Sequence, residues 1–145
     1  MTFSPAKSTL LGALLGLAAL GTPAAKAEDT PAPSIAIELS AAEDIDGACR
    51  MSFLATNSGA ADVDQAVYEV VLFGANGGVA QLTLLDFRDL PAGRPRVRQF
   101  QFAGMACRDI PRVLINGAAT CSGLPEGGCI DNLLLSTRTG TELIG

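Results

Sequence analysis

The sequence has no histidine, no tryptophan and only one tyrosine. Histidine is the side chain that most often acts as a general base or a metal ligand near neutral pH, so its absence removes the commonest catalytic and zinc-binding arrangements. A blue-copper centre also requires imidazole ligands and is excluded for the same reason. We therefore expect no metal, no cofactor and no catalytic residue, and we predict that the protein is not an enzyme.

The sequence also lacks an apolar run long enough for a transmembrane helix, which needs about 20 residues. Its longest apolar run, LLGALLGLAAL at residues 10–20, follows a polar start with Lys7 and precedes AKA at residues 25–27. This order of segments is typical of a secretory signal peptide. We predict that residues 1–27 are a Sec-type signal cleaved after Ala27. The mature protein would then be periplasmic or secreted, without a membrane span.

Lysine is missing after residue 26, and residues 28–145 carry eight arginines against fifteen acidic residues, a net charge of 8 − 15 = −7. A surface of this sign repels nucleic acid and anionic membranes, so neither is an expected partner. The length suits one domain with one core. We expect residues 28–34 to form a flexible leader and residues 35–145 to form a single domain.

Helical periodicity is nearly missing from this domain, and short segments alternate between apolar and polar residues instead. About seven such segments, separated by turn signals, predict an immunoglobulin-like antiparallel sandwich of two sheets. The predicted strands are 35–39, 49–56, 67–73, 79–85, 97–102, 113–119 and 133–137, the last with an extension over 141–144.

Four local patterns refine this prediction. The segment 40–48 has three acids and a glycine and is predicted to be a loop. The third strand, 67–73, is apolar on both faces apart from one glutamate, which indicates a central position. Asn76-Gly77 predicts a tight hairpin, whereas Asn116-Gly117 favours a bulge over a second hairpin. Six aromatic side chains are expected in the core: Phe53, Tyr68, Phe73, Phe87, Phe100 and Phe102.

The four cysteines have no Cys-x-x-Cys spacing, which argues against a zinc ribbon or a thiol–disulfide oxidoreductase. An even number of cysteines in an exported chain favours disulfides. If successive strands alternate in direction, Cys49 and Cys107 lie at one pole of the sandwich, while the sixth strand ends with Cys121 at the other. The predicted disulfides are Cys49–Cys107 and Cys121–Cys129. A hairpin at Asn116-Gly117 would weaken this assignment.

Basic charge is concentrated in the stretch DLPAGRPRVRQFQF, where arginines recur at every second position. The three arginines are Arg94, Arg96 and Arg98. Two interpretations stay open for them. They are either the solvated start of an edge strand, paired with acids such as Asp86 and Asp89, or a binding surface for anionic groups.

Parity adds a constraint on the same strand, because Phe100 and Phe102 share the even-numbered positions of the arginines. We reason that one buried face cannot hold both groups, and we therefore expect a change of register near Arg98–Gln99. Pro95 cannot donate to a strand ladder, which supports a late strand start or an edge position.

Several turn motifs follow a common scheme: NSG at 57–59, VLFGANGGVAQ at 71–81, and LPAG at 90–93 ahead of VRQF at 97–100. They resemble exported bacterial β-sandwich domains of the FxLYD and CARDB (bacterial cell-adhesion-related) kind. The resemblance implies a small immunoglobulin-like sandwich that serves as a binding or accessory module, with no catalytic residues to carry over. The cysteines and the glycine-rich segment 121–129 are additions to that scheme.

These observations favour a non-enzymatic envelope protein that binds or assists another envelope protein, through a sheet edge or the three arginines. One alternative is a small hydrolase or carbohydrate-active domain that uses acidic pairs such as Asp62/Asp64 or Asp86/Asp89. Another is a purely structural envelope protein. The segment CSGLPEGGC at 121–129 is either a presented recognition loop or a connection that is tied only to make its turn.

Overall fold

The computed structural model describes residues 1–2, 24–25, 32 and 34–145. The predicted signal peptide, its cleavage site and the leader fall almost wholly outside these residues and stay predictions. Pro31–Gly145 forms one compact unit. Among the described residues, no helix is long and apolar enough to cross a bilayer.

The compact unit is all β, as predicted, with eight strands rather than seven. The strands are β1 (Ile35–Ile45), β2 (Ala48–Asn57), β3 (Val63–Phe73), β4 (Val79–Leu90), β5 (Arg96–Ala103), β6 (Arg112–Ser122), β7 (Leu134–Thr137) and β8 (Glu142–Ile144). A short 3₁₀ turn at Cys107–Asp109 lies between β5 and β6. Each strand forms where alternating apolar residues can be buried on one face.

The strands form two four-stranded sheets that pack as a sandwich, with the orders β5-β2-β1-β7 and β4-β3-β6-β8. Alternate residues of the central strands point inward, and those of β1 and β2 include Ile37 and Met51, both fully buried. Aromatic rings join the two sheets, since Phe87 of β4 lies edge-on to Phe53 of β2 at 5.7 Å and to Tyr68 of β3 at 5.4 Å. The core therefore lies between the sheets and holds β4 over β2.

The last two strands correct the predicted topology. β7 pairs in parallel with β1, and β8 pairs in parallel with β6, so the sheets are mixed rather than wholly antiparallel. The segment 141–144 is not an extension of β7, because the chain turns after Thr137 and crosses to the opposite sheet. The crossing is fixed by Thr141, whose hydroxyl donates to the Ile110 carbonyl at 2.9 Å.

The segment 40–48 is not a loop, and that prediction was wrong. β1 continues to Ile45 after a register shift at Ser40, and the turn to β2 consists only of Asp46 and Gly47, with φ of 49° and 76°. Positive φ at both central residues is what a two-residue hairpin requires. Two of the three acids that suggested a loop, Glu43 and Asp44, lie on the strand, where Glu43 pairs with Arg50 at 3.0 Å.

The two Asn-Gly predictions are confirmed. A hairpin joins β3 to β4 at residues 75–78, although its turn is centred on Ala75 and Asn76 rather than on Asn76 and Gly77. The Gly77 amide donates to the Gly74 carbonyl and the Asn76 side chain accepts from the Gly78 amide, both at 2.9 Å. Gly77 has a positive φ of 81°, whereas Asn76 does not. At Asn116 strand β6 runs on without a turn, and the pairs Glu69–Gly117 and Val70–Ile115 leave Asn116 as a bulge.

Candidate functional site

Both predicted disulfides are confirmed. Cys49 at the start of β2 is joined to Cys107 in the 3₁₀ turn, with the Cα atoms 4.8 Å apart. Cys121 near the end of β6 is joined to Cys129, with the Cα atoms 5.8 Å apart. The strand directions placed each pair at one pole, and the bulge at Asn116 keeps Cys121 at the pole where the prediction needed it.

The three predicted arginines do not form one surface. β5 pairs with β2 in unbroken register, and Arg96, Arg98, Phe100 and Phe102 lie opposite Ala55, Phe53, Met51 and Cys49, all of them buried. Both arginines therefore share the inward face with the phenylalanines, and the predicted change of register was wrong. The premise was that one buried face cannot hold both arginines and phenylalanines. It was wrong, because a long side chain on an edge strand can face inward and still place its charged group at the rim of the sandwich.

Arg98 bridges the two sheets at this rim. Its Nε donates to the Phe87 carbonyl at 2.5 Å, and its Nη2 donates to the Asp89 carbonyl at 2.9 Å and to the Asp89 carboxylate at 3.2 Å. The side chain is only 17% exposed. These carbonyls lie on β4, the edge strand across from β5, so we name this set of contacts the Arg98 latch. Charge-assisted bonds of this kind are the stronger hydrogen bonds in proteins.

The other two arginines are less engaged. Arg96 reaches the Asp89 carboxylate at 3.7 Å, as the strand-start interpretation expected. Arg94 is exposed, and its backbone amide donates to the Pro91 carbonyl at 3.2 Å. The predicted binding role of the three arginines stays a prediction, but only Arg94 has its side chain directed to solvent.

Three of the acidic residues considered for hydrolysis have contacts that serve the fold. Asp86 accepts from the Arg88 amide at 2.8 Å, Asp62 accepts from the Ala92 amide at 2.8 Å, and Asp89 pairs with Arg96 and Arg98. Asp44 of β1 likewise accepts from the Cys107 amide at 2.7 Å. Among the residues that the structure describes, no group of three His, Cys, Asp or Glu side chains could hold a metal ion. These carboxylates stabilise turns and cross-connections of the sandwich.

The tied segment 121–129 borders an open pocket of about 420 Å³, which residues 59–61 also line. The tied segment is held in position by Tyr68, whose hydroxyl donates to the Cys129 carbonyl at 2.9 Å. Burial raises the pKa of Tyr68, so this hydroxyl stays a donor at neutral pH. The pocket lining is mainly glycine, alanine, leucine and proline, with three polar residues, Glu126, Asp131 and Asn132.

A different surface emerges at the sheet edges. An edge strand offers unpaired backbone groups to another chain, and proteins usually protect such edges with charge, proline or short length. β7 and β8 have only four and three residues. β5 follows Pro95, carries two arginines and has two glutamines outward, one of which, Gln99, donates to Ser52 at 2.9 Å.

The edge strand β4 lacks such protection along part of its length. Its second half, residues 86–90 (the closed half), carries three charges, a positive φ of 59° at Arg88 and the Arg98 latch. Its first half, residues 79–85 with the sequence VAQLTLL (the open half), has neither charge nor proline. β3 is its one strand neighbour in the described part of the chain. Two of its leucines, Leu82 and Leu84, are 58% and 56% exposed.

The open half continues into an apolar row on the outside of the same sheet. Leu82 of β4, Val71 of β3, Leu114 of β6 and Ile144 of β8 are direct cross-strand partners in turn. Val71 points away from the core and yet is only 6% exposed. We name this set the outer apolar row.

Polar contacts border the row on both sides. Glu69 accepts from Asn116 at 2.5 Å on one side, and Arg112 pairs with Glu142 at 2.6 Å on the other. Phe73 also lies on this outer face, half-buried, so its predicted place in the core was wrong. An apolar centre with a polar rim is the composition of a protein-binding surface.

Sequence reasoning missed this surface, although the signal was present. The third strand was recognised as apolar on both faces, and its central position is confirmed by its two neighbours, β4 and β6. In the structure only the face with Tyr68 and Leu72 packs into the core between the sheets. Val71 faces outward, although it is itself only 6% exposed.

Comparisons with known proteins give no further guidance. No protein-family model matches the chain. No curated protein and no solved structure matches it either. The resemblance to FxLYD and CARDB domains therefore stays a prediction, and any function has to be argued from the geometry.

Proposed function

We propose that this chain is an exported, non-enzymatic binding module that pairs with another protein of the cell envelope through the open half of β4. The observation that carries the proposal is the contrast along this one strand, whose first seven residues combine a free edge with no charge and no proline. A partner would add an extended strand to this edge, with main-chain hydrogen bonds for affinity and side-chain contacts to Leu82 and Leu84 for specificity.

The rest of the molecule supports this role. Two disulfides and the Arg98 latch hold the frame on which β4 is presented. A pre-organised edge costs little ordering entropy when a partner binds. Asp62 and Asp86, one from each acidic pair considered for hydrolysis, accept from backbone amides of the fold, which favours a binding module over the alternative of an acid-dependent hydrolase.

The test is a crosslinking pull-down from envelope extract with three forms of the protein. The first is wild type, the second is Leu82→Lys/Leu84→Lys, and the third is Val97→Lys. Val97 is a matched control because it is an exposed apolar residue, 60% accessible, on the facing edge strand β5.

We expect the double variant to lose partners that wild type and Val97→Lys recover equally. Equal recovery by all three forms would overturn the proposal. A fourth form, Arg94→Glu, tests the alternative that the exposed arginine binds the partner. If Arg94→Glu loses partners and the leucine double variant does not, binding is assigned to Arg94 instead.

A further inference from the structure

We propose that a second copy of this chain pairs with the open half of β4, giving a two-fold dimer in which two β4 strands run antiparallel about an axis at Thr83. This inference rests on the proposed function, because it names an occupant for the same edge. An envelope partner would then have to compete with the second copy for β4.

The register of β4 restricts where such an axis can lie. Between two register shifts the strand is regular from Gln81 to Asp86, and residues 81–85 of this segment are uncharged. In an antiparallel pair, directly opposite residues point to the same face. A two-fold axis perpendicular to the sheet therefore keeps the outer faces of both copies on the same side only if one residue lies opposite its own copy. Thr83 is the middle residue of the segment 81–85.

This register matches the side chains of the two copies. Leu82 lies opposite Leu84 of the second copy, and Leu84 lies opposite its Leu82. Both leucines are more than half exposed in the single chain, and directly opposite apolar pairs stabilise a sheet. The outer apolar row of each copy then ends at Leu82 against Leu84 of the other copy. The two rows are offset by two residues, because Leu84 lies beside Glu69 of β3 rather than beside Val71.

The absence of charge on the open half favours a second copy of the chain as the strand that pairs with it. An edge without charge gains nothing from a charged strand, and a second copy supplies an uncharged strand of the same length and pattern. The two bodies repel at long range, because residues 28–145 of each chain have a formal net charge of 8 − 15 = −7. Salt screens such repulsion over about 10 Å at 0.1 M, so we expect the dimer to strengthen with ionic strength.

The contact is small, because each copy contributes one short strand. Interfaces below about 1,000 Å² of buried surface are weak or transient. We therefore expect a concentration-dependent equilibrium between monomer and dimer rather than a permanent dimer.

The experiment is sedimentation equilibrium of the oxidised protein, purified after expression of the full chain, over a wide concentration range and at two salt concentrations. We expect wild type and Val97→Lys to associate alike. Leu82→Lys/Leu84→Lys should raise the dissociation constant at least about tenfold, because like charges would lie opposite each other. Thermal melts of each form establish that it is folded.

Mixing two single variants tests the register. With the axis at Thr83, Leu82→Glu mixed with Leu84→Lys brings the introduced charges opposite each other and restores association. Leu82→Glu mixed with Leu82→Lys does not bring them together, and we expect no rescue. Rescue in the second mixture only would overturn the register and with it the proposed dimer.

Failure of this inference can be distinguished from failure of the proposed function. A chain that is monomeric at all concentrations, but whose pull-down still depends on Leu82 and Leu84, overturns the dimer and leaves the binding function standing. Association that Leu82→Lys/Leu84→Lys leaves unchanged also overturns the dimer. If the pull-down is insensitive as well, both proposals fail.

Discussion

The two halves of β4 belong to one strand and one sheet, yet they differ in charge and in contacts to the other sheet. The closed half carries three charges and the Arg98 latch, which occupies the carbonyls of Phe87 and Asp89. The open half carries neither, has its one register shift at Ala80, and exposes Leu82 and Leu84. The carbonyls that accept from Arg98 belong to residues 87 and 89, beyond the uncharged stretch 79–85. Only the closed half of this edge is therefore protected.

The difference separates two kinds of substitution. Changes in the closed half and its supports should cost stability and leave association intact. Changes in the open half should cost association and leave stability intact, because exposed side chains away from special features contribute little to folding.

The largest effect is expected at the disulfides. In the chain-entropy model, the bridge between Cys49 and Cys107, 58 residues apart, contributes about 4 kcal/mol and the short bridge about 2.5 kcal/mol. Urea denaturation of Cys49→Ser/Cys107→Ser and Cys121→Ser/Cys129→Ser should show losses in that order. A larger loss from the short bridge would contradict this account of the frame.

Arg98→Met should cost about 1.5–3 kcal/mol, because it removes charge-assisted donors from the carbonyls of Phe87 and Asp89. Arg94→Met is the matched control and should stay within about 0.5 kcal/mol of wild type, since the Arg94 side chain is exposed. Denaturant midpoints measure both. Equal effects of the two variants would show that the latch contributes nothing to the closed half.

Leu82→Lys/Leu84→Lys should change the free energy of unfolding by less than about 1 kcal/mol, within the range of surface substitutions, while it removes association. This is the reverse of Arg98→Met. The measurement pairs a thermal melt with sedimentation of the same sample. A melting temperature as low as that of Arg98→Met would mean that the leucines support the fold and would erase the contrast.

The smallest effect is expected at an exposed pair on the other sheet. Arg138 donates to Glu38 at 2.8 Å, and this hydrogen bond, followed by one from Ser40, lowers the pKa of Glu38 below its ordinary value of 4.5. A lowered folded pKa contributes stability above the ordinary value and loses it as the pH falls through the folded pKa. In Arg138→Gln the pKa of Glu38 should rise, as carboxyl-carbon NMR would detect, while an unchanged value would contradict this cause.

Much of the fold could be predicted from the sequence because its signals are local. Alternation located strands β1 to β6, the Asn76-Gly77 turn located a hairpin, and strand direction was sufficient to pair the cysteines. The parallel pairing of β7 and β8 could not be predicted, because it depends on which sheet each segment joins after the turn at Thr137, and no local pattern contains that choice.

The candidate site was harder to predict, since it depends on which strands become edges. The alternating arginines form a visible charge pattern in the sequence. In the fold, however, the β2–β5 register turns Arg98 inward, and β4 provides the carbonyl that accepts its hydrogen bond. The open half was recognised only as a strand. Nothing local in VAQLTLL distinguishes an edge strand from a central one, and its exposure becomes visible only in the order of the sheet.

The most direct test of the central claim is amide hydrogen exchange of β4 at low and high protein concentration. If two copies pair at the open half, amides within residues 81–85 that face away from β3 should exchange more slowly at high concentration, while those of 97–103 on β5 stay unchanged. Exchange in 81–85 that is independent of concentration, or an equal slowing in β5, would contradict the claim.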